Sequence, residues 1–263
     1  MAIHPISYTN FANKRFLRIK NYAFASKDAV VALVARELPK AAISLPTAFV
    51  AQGEGYTPVA VLGVQPGKNL FVRSDGLWVG GYIPAPFRGF PFLLGNAEDG
   101  RQVLCIDDRD GSVSESEGEA FFGEDQQPTK AVKDILNFLT QVAANRLATN
   151  EIMAQLQKHK LIVPWQIKVQ NADKPGFEIT GLYRIDEQAL NKLSARAIRE
   201  LQQSGALQLA YCHLLSMQHL PLLGKLAQAH QQAEQMAALP KTETGELDMS
   251  FLADDTTISF EDL

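Results

Sequence analysis

The chain has 263 residues, of which 46% are hydrophobic and 21% are charged, and its formal net charge is −4. This length suits one large domain or two small ones with a sizeable core, and the composition is ordinary for a globular protein. Residues 243–263 contain seven acids and no base, which leaves 22 acids against 25 bases, a net charge of about +3, for residues 1–242. The body therefore lacks the strong basic excess of nucleic-acid-binding proteins, and we expect no nucleic-acid partner.

Targeting signals are not evident in the sequence. Four basic residues lie between positions 14 and 20, but no apolar run with a small-residue cleavage site follows them. No stretch of 18 apolar residues occurs, so we expect no membrane insertion. The two cysteines, Cys105 and Cys212, lie among apolar residues, a pattern typical of reduced thiols rather than of a disulfide framework. These features together predict a cytoplasmic protein.

The first half of the chain, residues 20–128, is rich in predicted strands. Apolar and β-branched runs occur at 30–34, 47–51, 59–64, 69–73, 77–79 and 103–106, and turn residues separate them. The sequence Gln65-Pro66-Gly67-Lys68 predicts a hairpin between two of these runs. The acidic stretch 107–127 contains glycines and predicts an exposed loop.

The second half, residues 129–240, is predominantly helical. Thr129 is the predicted N-cap of a helix that runs to about residue 159, either unbroken or interrupted near 148–150. Strands at 165–169 and 177–183 flank a predicted hairpin loop. Further helices follow to residue 239. Their predicted boundaries are N-caps at Asp186 and Ser194, a C-terminal glycine at Gly205 and a break at Pro221.

These elements predict an α+β fold in a single domain over residues 1–240. An antiparallel N-terminal sheet region would pack against the long central helix, and a second small hairpin and a C-terminal helical group would complete it. Residues 241–263 are predicted to form an acidic disordered tail. In the alternative interpretation the tail is a short linear motif that folds onto a partner, because its apolar residues alternate with acids.

The segment Tyr82–Phe92 is the most informative stretch of the sequence because it combines aromatic residues, prolines, glycine and one arginine. Proline fixes φ and glycine permits positive φ, so this composition predicts a shaped loop rather than a plain strand or helix. In one interpretation the loop forms a groove for a peptide, a sugar ring or an anionic group. The candidate binding residues are then Tyr82, Pro84, Phe87, Arg88 and Phe90. In the other interpretation the loop is buried against the sheet, and Arg88 holds backbone carbonyls.

Catalytic and cofactor motifs do not occur in the sequence. We find no nucleophile elbow, phosphate-binding loop or dinucleotide fingerprint, so no catalytic residue can be named and no cofactor is expected. The acidic turn Asp107–Gly111 resembles a calcium loop, but Ile106 would occupy the first ligand position, which favours a solvated turn. Cys212, His213 and His219 lack zinc-site spacing, so we expect a packed helical face and no metal.

A series of short motifs in a fixed order provides a further clue. It includes Tyr22-Ala23-Phe24-Ala25, Leu45-Pro46-Thr47-Ala48-Phe49-Val50, Asp75-Gly76-Leu77-Trp78, Arg88-Gly89-Phe90-Pro91-Phe92, Leu182-Tyr183-Arg184-Ile185-Asp186 and Leu209-Ala210-Tyr211-Cys212-His213-Leu214. The series resembles the SapC family of bacterial proteins. That family takes its name from a gene linked to a bacterial surface layer and its transport, and such genes often lie near those for outer-membrane uptake receptors. The resemblance implies an accessory role and supplies no catalytic residue.

The sequence therefore predicts a cytoplasmic, non-enzymatic accessory or binding protein of the SapC type, serving an uptake or surface-layer-associated system. One alternative is an enzyme, or enzyme subunit, without a recognisable motif and with its site beside Tyr82–Phe92. Another alternative is a component of surface-layer export. The sequence specifies neither the partner nor the oligomeric state.

Overall fold

The structure, a computed structural model, describes residues 3–97, 100–109, 111–169 and 177–238. Its strands are β1 Ile3–Pro5, β2 Arg15–Phe16, β3 Val30–Ala32, β4 Thr47–Gln52, β5 Gly55–Val61, β6 Phe92–Asn96, β7 Gln102–Asp107, β8 Val113–Ser114, β9 Glu119–Ala120, β10 Ile162–Val169 and β11 Phe177–Ile185. Its helices are α1 Tyr8–Phe11, α2 Leu38–Ala41, α3 Ala85–Gly89, α4 Lys130–Lys158, α5 Glu187–Asn191, α6 Ala195–Ser204, α7 Ala206–Ser216 and α8 Leu220–Ala238. The predicted hairpin loop at 171–176 and the predicted tail lie outside the described residues.

The main sheet confirms the predicted α+β class and its antiparallel pairing. Its five strands run in the order β10-β11-β4-β5-β3. The hairpin β10–β11, predicted as a second small unit, joins this sheet because β11 pairs with β4 through Leu182 opposite Val50 and Tyr183 opposite Phe49. Two smaller sheets have the orders β1-β7-β6 and β8-β2-β9.

The segment 69–79, predicted as two strands, forms a compact turn region instead. Its ladder is reduced to one bridge between Val72 and Trp78. Asn69 explains part of the difference because its buried side chain makes the bonds that a partner strand would make. Its Nδ2 donates to the Ala25 carbonyl at 3.0 Å, and its Oδ1 accepts from the Phe71 amide at 2.9 Å. Side chains that bond to nearby backbone in this way compete with regular strand pairing.

The long helix α4 is continuous from Lys130 to Lys158, so the alternative with a break near 148–150 is wrong. Thr149, the β-branched residue at that point, is buried, and its hydroxyl donates to the Asn145 carbonyl at 2.6 Å. The same oxygen accepts a hydrogen bond from the Ala35 amide at 2.8 Å. Thr149 thus ties α4 to the connection between β3 and α2. The predicted N-cap is confirmed, since the Thr129 side chain accepts from the Val132 amide.

Helix boundaries in the C-terminal group follow the predicted capping residues. The Asp186 side chain accepts from the Ala189 amide at 3.0 Å, and the Ser194 hydroxyl accepts from the Ala197 amide at 3.3 Å. Gly205 ends α6 with a φ of 79°, in the left-handed region that favours glycine. A 3₁₀ turn at Met217–His219 separates α7 from α8.

The described residues form two hydrophobic clusters in the interior. The larger cluster lies between the main sheet and the helices α4, α6 and α7, with Phe49, Leu62, Phe71 and Leu156 among its fully buried side chains. The smaller cluster lies at the N-terminal end of α4 and is built from residues of α1, β2, β6, β7 and α4 together with Phe121. The segment containing α3 lies at the junction of the two clusters.

Candidate functional site

The predicted Tyr82–Phe92 loop contains a one-turn helix, α3, so its description as a loop without helix is corrected. Pro84 precedes the helix, and its carbonyl accepts from the amides of Phe87 at 3.0 Å and Arg88 at 3.1 Å. Pro86 lies within the first helical turn, where proline is tolerated because the amides there have no helical acceptor. Gly89 allows α3 to lie close to α4, since a Cβ there would lie 2.9 Å from the Leu139 side chain.

A buried carboxylate, that of Glu37, holds this segment in place. Glu37 is 5% exposed, and its Oε1 accepts from the Ala85 amide at 2.6 Å and from the Tyr82 hydroxyl at 2.9 Å. Its Oε2 accepts from the Val34 amide at 3.1 Å. An Arg88 nitrogen, Nη2, lies 3.4 Å from Oε1. The carboxylate is therefore paired and hydrogen-bonded on both oxygens, as a buried charge must be.

The contacts around Glu37 favour a structural role for the carboxylate and for Tyr82. Burial and the neighbouring Glu37 carboxylate raise the pKa of Tyr82 to about 12. The phenol therefore remains a proton donor at neutral pH. Glu37 has both oxygens engaged by donors of its own chain, so neither residue is arranged as a general base.

Aromatic rings surround the segment on the side of the larger hydrophobic cluster. Phe90 stacks on Phe24 with centroids 3.9 Å apart and 8° between the ring planes. Phe87 meets Phe24 and Trp78 edge to face, at 5.9 Å and 5.7 Å. The Trp78 indole also stacks on Phe71 at 5.5 Å, and its Nε1 donates to the Tyr82 carbonyl at 3.1 Å. Such pairs fix ring orientation, so the segment is rigid at this face.

The segment also borders a cavity of about 260 Å³, which we call the Arg88 groove. Apolar and aromatic residues of β2, α3, β6 and α4 line it, together with Arg18 and Arg88. The Arg88 guanidinium lies over the Phe138 ring, 5.0 Å from its centroid, and 5.6 Å from the Tyr82 centroid. Arg18 is mostly exposed and pairs with Glu119.

The outer end of the Arg88 side chain is a polar feature of the groove that is only partly hydrogen-bonded within the described residues. Its Nε donates to the Ile83 carbonyl at 3.0 Å, and its Nη2 donates to the Tyr82 hydroxyl at 3.1 Å. Its Nη1 makes no hydrogen bond within the described part of the chain, and the side chain is 41% exposed. The guanidinium is thus held in position with one nitrogen left over for another group.

The structure separates the five candidate residues into two groups. Phe87, Arg88 and Phe90 line the Arg88 groove, whereas Tyr82 and Pro84 are not among its lining residues. Residues that the sequence did not point to as site residues include Glu37, Arg18 and Phe138. No local pattern could reveal the contact of Glu37 with this segment, because its partners there, Tyr82 and Ala85, lie more than 40 positions away along the chain. The stacking partner of Phe90 is Phe24. The sequence singled out Phe24 only as part of the short motif Tyr22-Ala23-Phe24-Ala25.

In a comparison with protein-family models, the chain matches SapC over residues 6–223. The chain belongs to the SapC family. The comparison with curated proteins and the comparison with solved structures each found no match. The family match covers the main sheet, α3, α4 and α7, so the Glu37 contacts and the Arg88 groove lie within the SapC region.

Other clusters in this SapC-family chain have structural explanations. Arg109 forms an ion pair with the buried Asp107 at 2.7 Å, and the Asp108 carboxylate accepts from the Val113 amide at 3.0 Å. Asp110 of the predicted acidic turn lies outside the described residues. Among the residues that the structure does describe, no three His, Cys, Asp or Glu side chains are grouped to hold a metal ion. No described helix combines the length and the apolar character needed to cross a membrane.

A buried polar network connects α7 to the main sheet. The Ser216 hydroxyl donates to the His213 carbonyl at 2.6 Å and lies 2.7 Å from the Thr47 hydroxyl. The Thr47 hydroxyl lies 3.4 Å from Nδ1 of His213, a residue with no exposed surface. Burial lowers the pKa of His213 to about 4, so the ring is neutral at pH 7. With no acid in this network, it is suited to fixing α7 rather than to catalysis.

Proposed function

We propose that this SapC-family chain is a non-enzymatic binding protein whose ligand occupies the Arg88 groove. The proposal rests on the geometry and the hydrogen bonds of the Arg88 guanidinium. Its guanidinium is fixed by Ile83 and Tyr82, lies over Phe138 and keeps Nη1 without a partner among the described residues. A donor that is already in position binds an acceptor with little ordering cost.

The chemistry of the groove favours an apolar or aromatic segment that carries a carboxylate, a phosphate or a backbone carbonyl. Rings of Phe87, Phe90 and Phe138 would contact the apolar part, and Arg88 would bind the acceptor. At about 260 Å³ the cavity lies just below the size range of drug-sized ligand pockets, about 300–1,000 Å³, so it suits one side chain or one ring of a larger partner.

We further propose that the protein acts in the cytoplasm as an accessory to an uptake or surface-layer-associated system. The free cysteines Cys105 and Cys212 support a reducing compartment. The family resemblance supports the accessory role. The alternative of an enzyme gains no support from the groove, because the Glu37 carboxylate beside it is occupied by donors of the fold.

The test is capture of proteins and small molecules from the native host, identified by mass spectrometry. Arg88→Ala removes the donor, and Phe138→Ala removes the ring over which the guanidinium lies. Arg196→Ala is the control, because Arg196 is an exposed arginine in a surface ion pair, with Glu200 at 3.3 Å, and lines neither the Arg88 groove nor the cavity beside α8.

We expect one species to be captured by the wild type and by the control but not by the two groove variants. Capture is normalised to folded protein, because Arg88→Ala leaves the Ile83 carbonyl unpaired and costs about 1–3 kcal/mol of stability. Equal capture per folded molecule by all four proteins would reject the groove as the binding site.

A further inference from the structure

A second cavity, which we call the α8 groove, lies between α8 and the turn region 68–79. Its volume is about 630 Å³, more than twice that of the Arg88 groove. The α8 wall presents Leu226, Ala229 and Ala233, which share one helical face. Leu70, Val72 and Val79 belong to the opposite wall, and Val79 is 44% exposed.

Two polar contacts bridge the α8 groove and position its walls. The Lys68 Nζ lies 2.6 Å from the Glu234 carboxylate, and Nε2 of His230 lies 3.0 Å from the Leu70 carbonyl. Ala229 and Ala233 carry short side chains, so the helix does not fill the space between these contacts. The groove is therefore an apolar channel with polar edges, a form that suits an extended peptide with bulky apolar side chains.

The charge of the α8 groove favours an acidic occupant. Its lining contains two permanent cations, Lys68 and Arg73, and one acid, Glu234. Lys68 pairs with Glu234, and Arg73 pairs with Asp75 at 2.9 Å. Exposed ion pairs of this kind contribute little free energy, so an incoming carboxylate can share or replace a partner at small cost.

We propose that the α8 groove binds the C-terminal segment of the same chain, residues 243–263. This segment carries seven acids and no base, and acids flank its bulky residues Met249, Phe251 and Leu252. The segment thus supplies bulky apolar side chains, which would fill the groove, and negative charge, which would complement its cations. The docked segment would shield Val79 from solvent and make the groove unavailable to other acidic peptides.

The chain length permits this docking. Described helix α8 ends at Ala238, and the nine steps from Ala229 to Ala238 span about 14 Å of helix at 1.5 Å per residue. The ten residues 239–248 reach about 33 Å when extended, so Met249 can return to the level of Ala229. Because the segment is covalently attached, its effective concentration at the groove is of millimolar order, and a weak contact suffices.

Photo-crosslinking in the full-length chain tests the proposal. A benzophenone amino acid replaces Phe251, and crosslinked peptides are identified by mass spectrometry after separation of monomer from dimer. We expect crosslinks within the monomer to residues 68–79 and 226–234. A Lys68→Glu/Arg73→Glu variant should reduce their yield by at least roughly threefold, because it reverses the charge of the groove. Lys133→Glu, an exposed charge reversal on α4, is the matched control and should leave the yield unchanged.

An Ala233→Trp variant tests the proposal independently of charge, since the indole would fill the α8 groove without changing its charge. It should abolish the crosslinks while leaving the thermal midpoint within a few degrees of the parent protein. Crosslinks to other parts of the body, or none at all, would overturn the proposal. Crosslinks found only in dimers would overturn it too, because they would assign the groove to a second copy of the chain.

Discussion

The Tyr82 hydroxyl donates a hydrogen bond to the Glu37 carboxylate, with 2.9 Å between the two oxygens. This contact joins α2 to the segment that carries α3, and the Ala85 amide bonds to the same carboxylate oxygen. The position of Arg88 therefore depends on a residue outside its own segment. A substitution of Glu37 should therefore alter the position of Arg88 in the Arg88 groove.

Glu37→Gln should lower the free energy of unfolding by about 1.5–3 kcal/mol, the range for hydrogen bonds to charged groups. The amide keeps the shape of the side chain, but its NH₂ group would face donors such as the Ala85 amide. Denaturant unfolding measures the change. Glu54→Gln, on the exposed turn between β4 and β5, is the control and should change stability by less than about 0.5 kcal/mol. Equal values for the two variants would contradict the anchoring role of Glu37.

Tyr82 should make the protein lose stability in alkali. Its pKa is raised to about 12 in the fold, whereas an unfolded chain ionises tyrosine near pH 10. Between these values the unfolded state releases the proton and the folded state keeps it, so stability falls as pH rises. Tyr82→Phe cannot titrate. The stability advantage of the wild type over Tyr82→Phe should therefore shrink between pH 10 and pH 12. A constant difference across that range would show that the hydroxyl is solvated.

The sequence predicted the class of the fold because local signals determine most of its elements. Helix α4 has an apolar repeat and a threonine cap, and β10–β11 has two strands with turn residues between them. Contacts between distant parts of the chain could not be predicted from local sequence patterns. The contact between β11 and β4, and the contacts of Glu37 with α3, join positions whose proximity depends on the packing of the whole chain.

The candidate site shows the same division. The composition of Tyr82–Phe92 drew attention to Arg88, but it could not show that Tyr82 would be engaged with a buried acid. It also could not show that Phe138, on α4, would provide the ring beneath the guanidinium. Both contacts join residues that are distant in the sequence, so they depend on how the walls of the groove pack together.

Trp78→Ala should lower stability by about 3 kcal/mol, the lower end of the range for large aromatic residues, because Trp78 is only partly buried. The substitution removes the stack on Phe71, the edge contact with Phe87 and the bond to the Tyr82 carbonyl. Leu77→Ala is the neighbouring control, since Leu77 is 49% exposed. Thermal and denaturant unfolding measure both. A Trp78 variant as stable as the Leu77 variant would place the indole outside the core.

His213 should make the protein lose stability in mild acid. Its pKa is lowered to about 4 by burial, whereas an unfolded chain protonates histidine near pH 6.5. Between these values unfolding takes up a proton, so stability is complete above pH 6.5 and falls as pH decreases. Relative to His213→Phe, the wild type should lose up to about 3 kcal/mol between pH 6.5 and pH 4. Parallel pH profiles for the two proteins, or an NMR titration midpoint near 6.5, would contradict this.

The two thiols should differ in reactivity in the folded protein. Burial raises the pKa of both Cys105 and Cys212, so the reactive thiolate is scarce at neutral pH. Cys105 is 4% exposed, whereas Cys212 borders a cavity of about 350 Å³ that α2, α4 and α7 also line. An alkylating reagent should therefore modify Cys212 first, with both reactions far slower than in denaturant. Peptide mass spectrometry over time measures the order. Faster modification of Cys105 would contradict its burial in the structure. Separately, a Cys105–Cys212 disulfide in natively purified protein would contradict the reducing compartment proposed above.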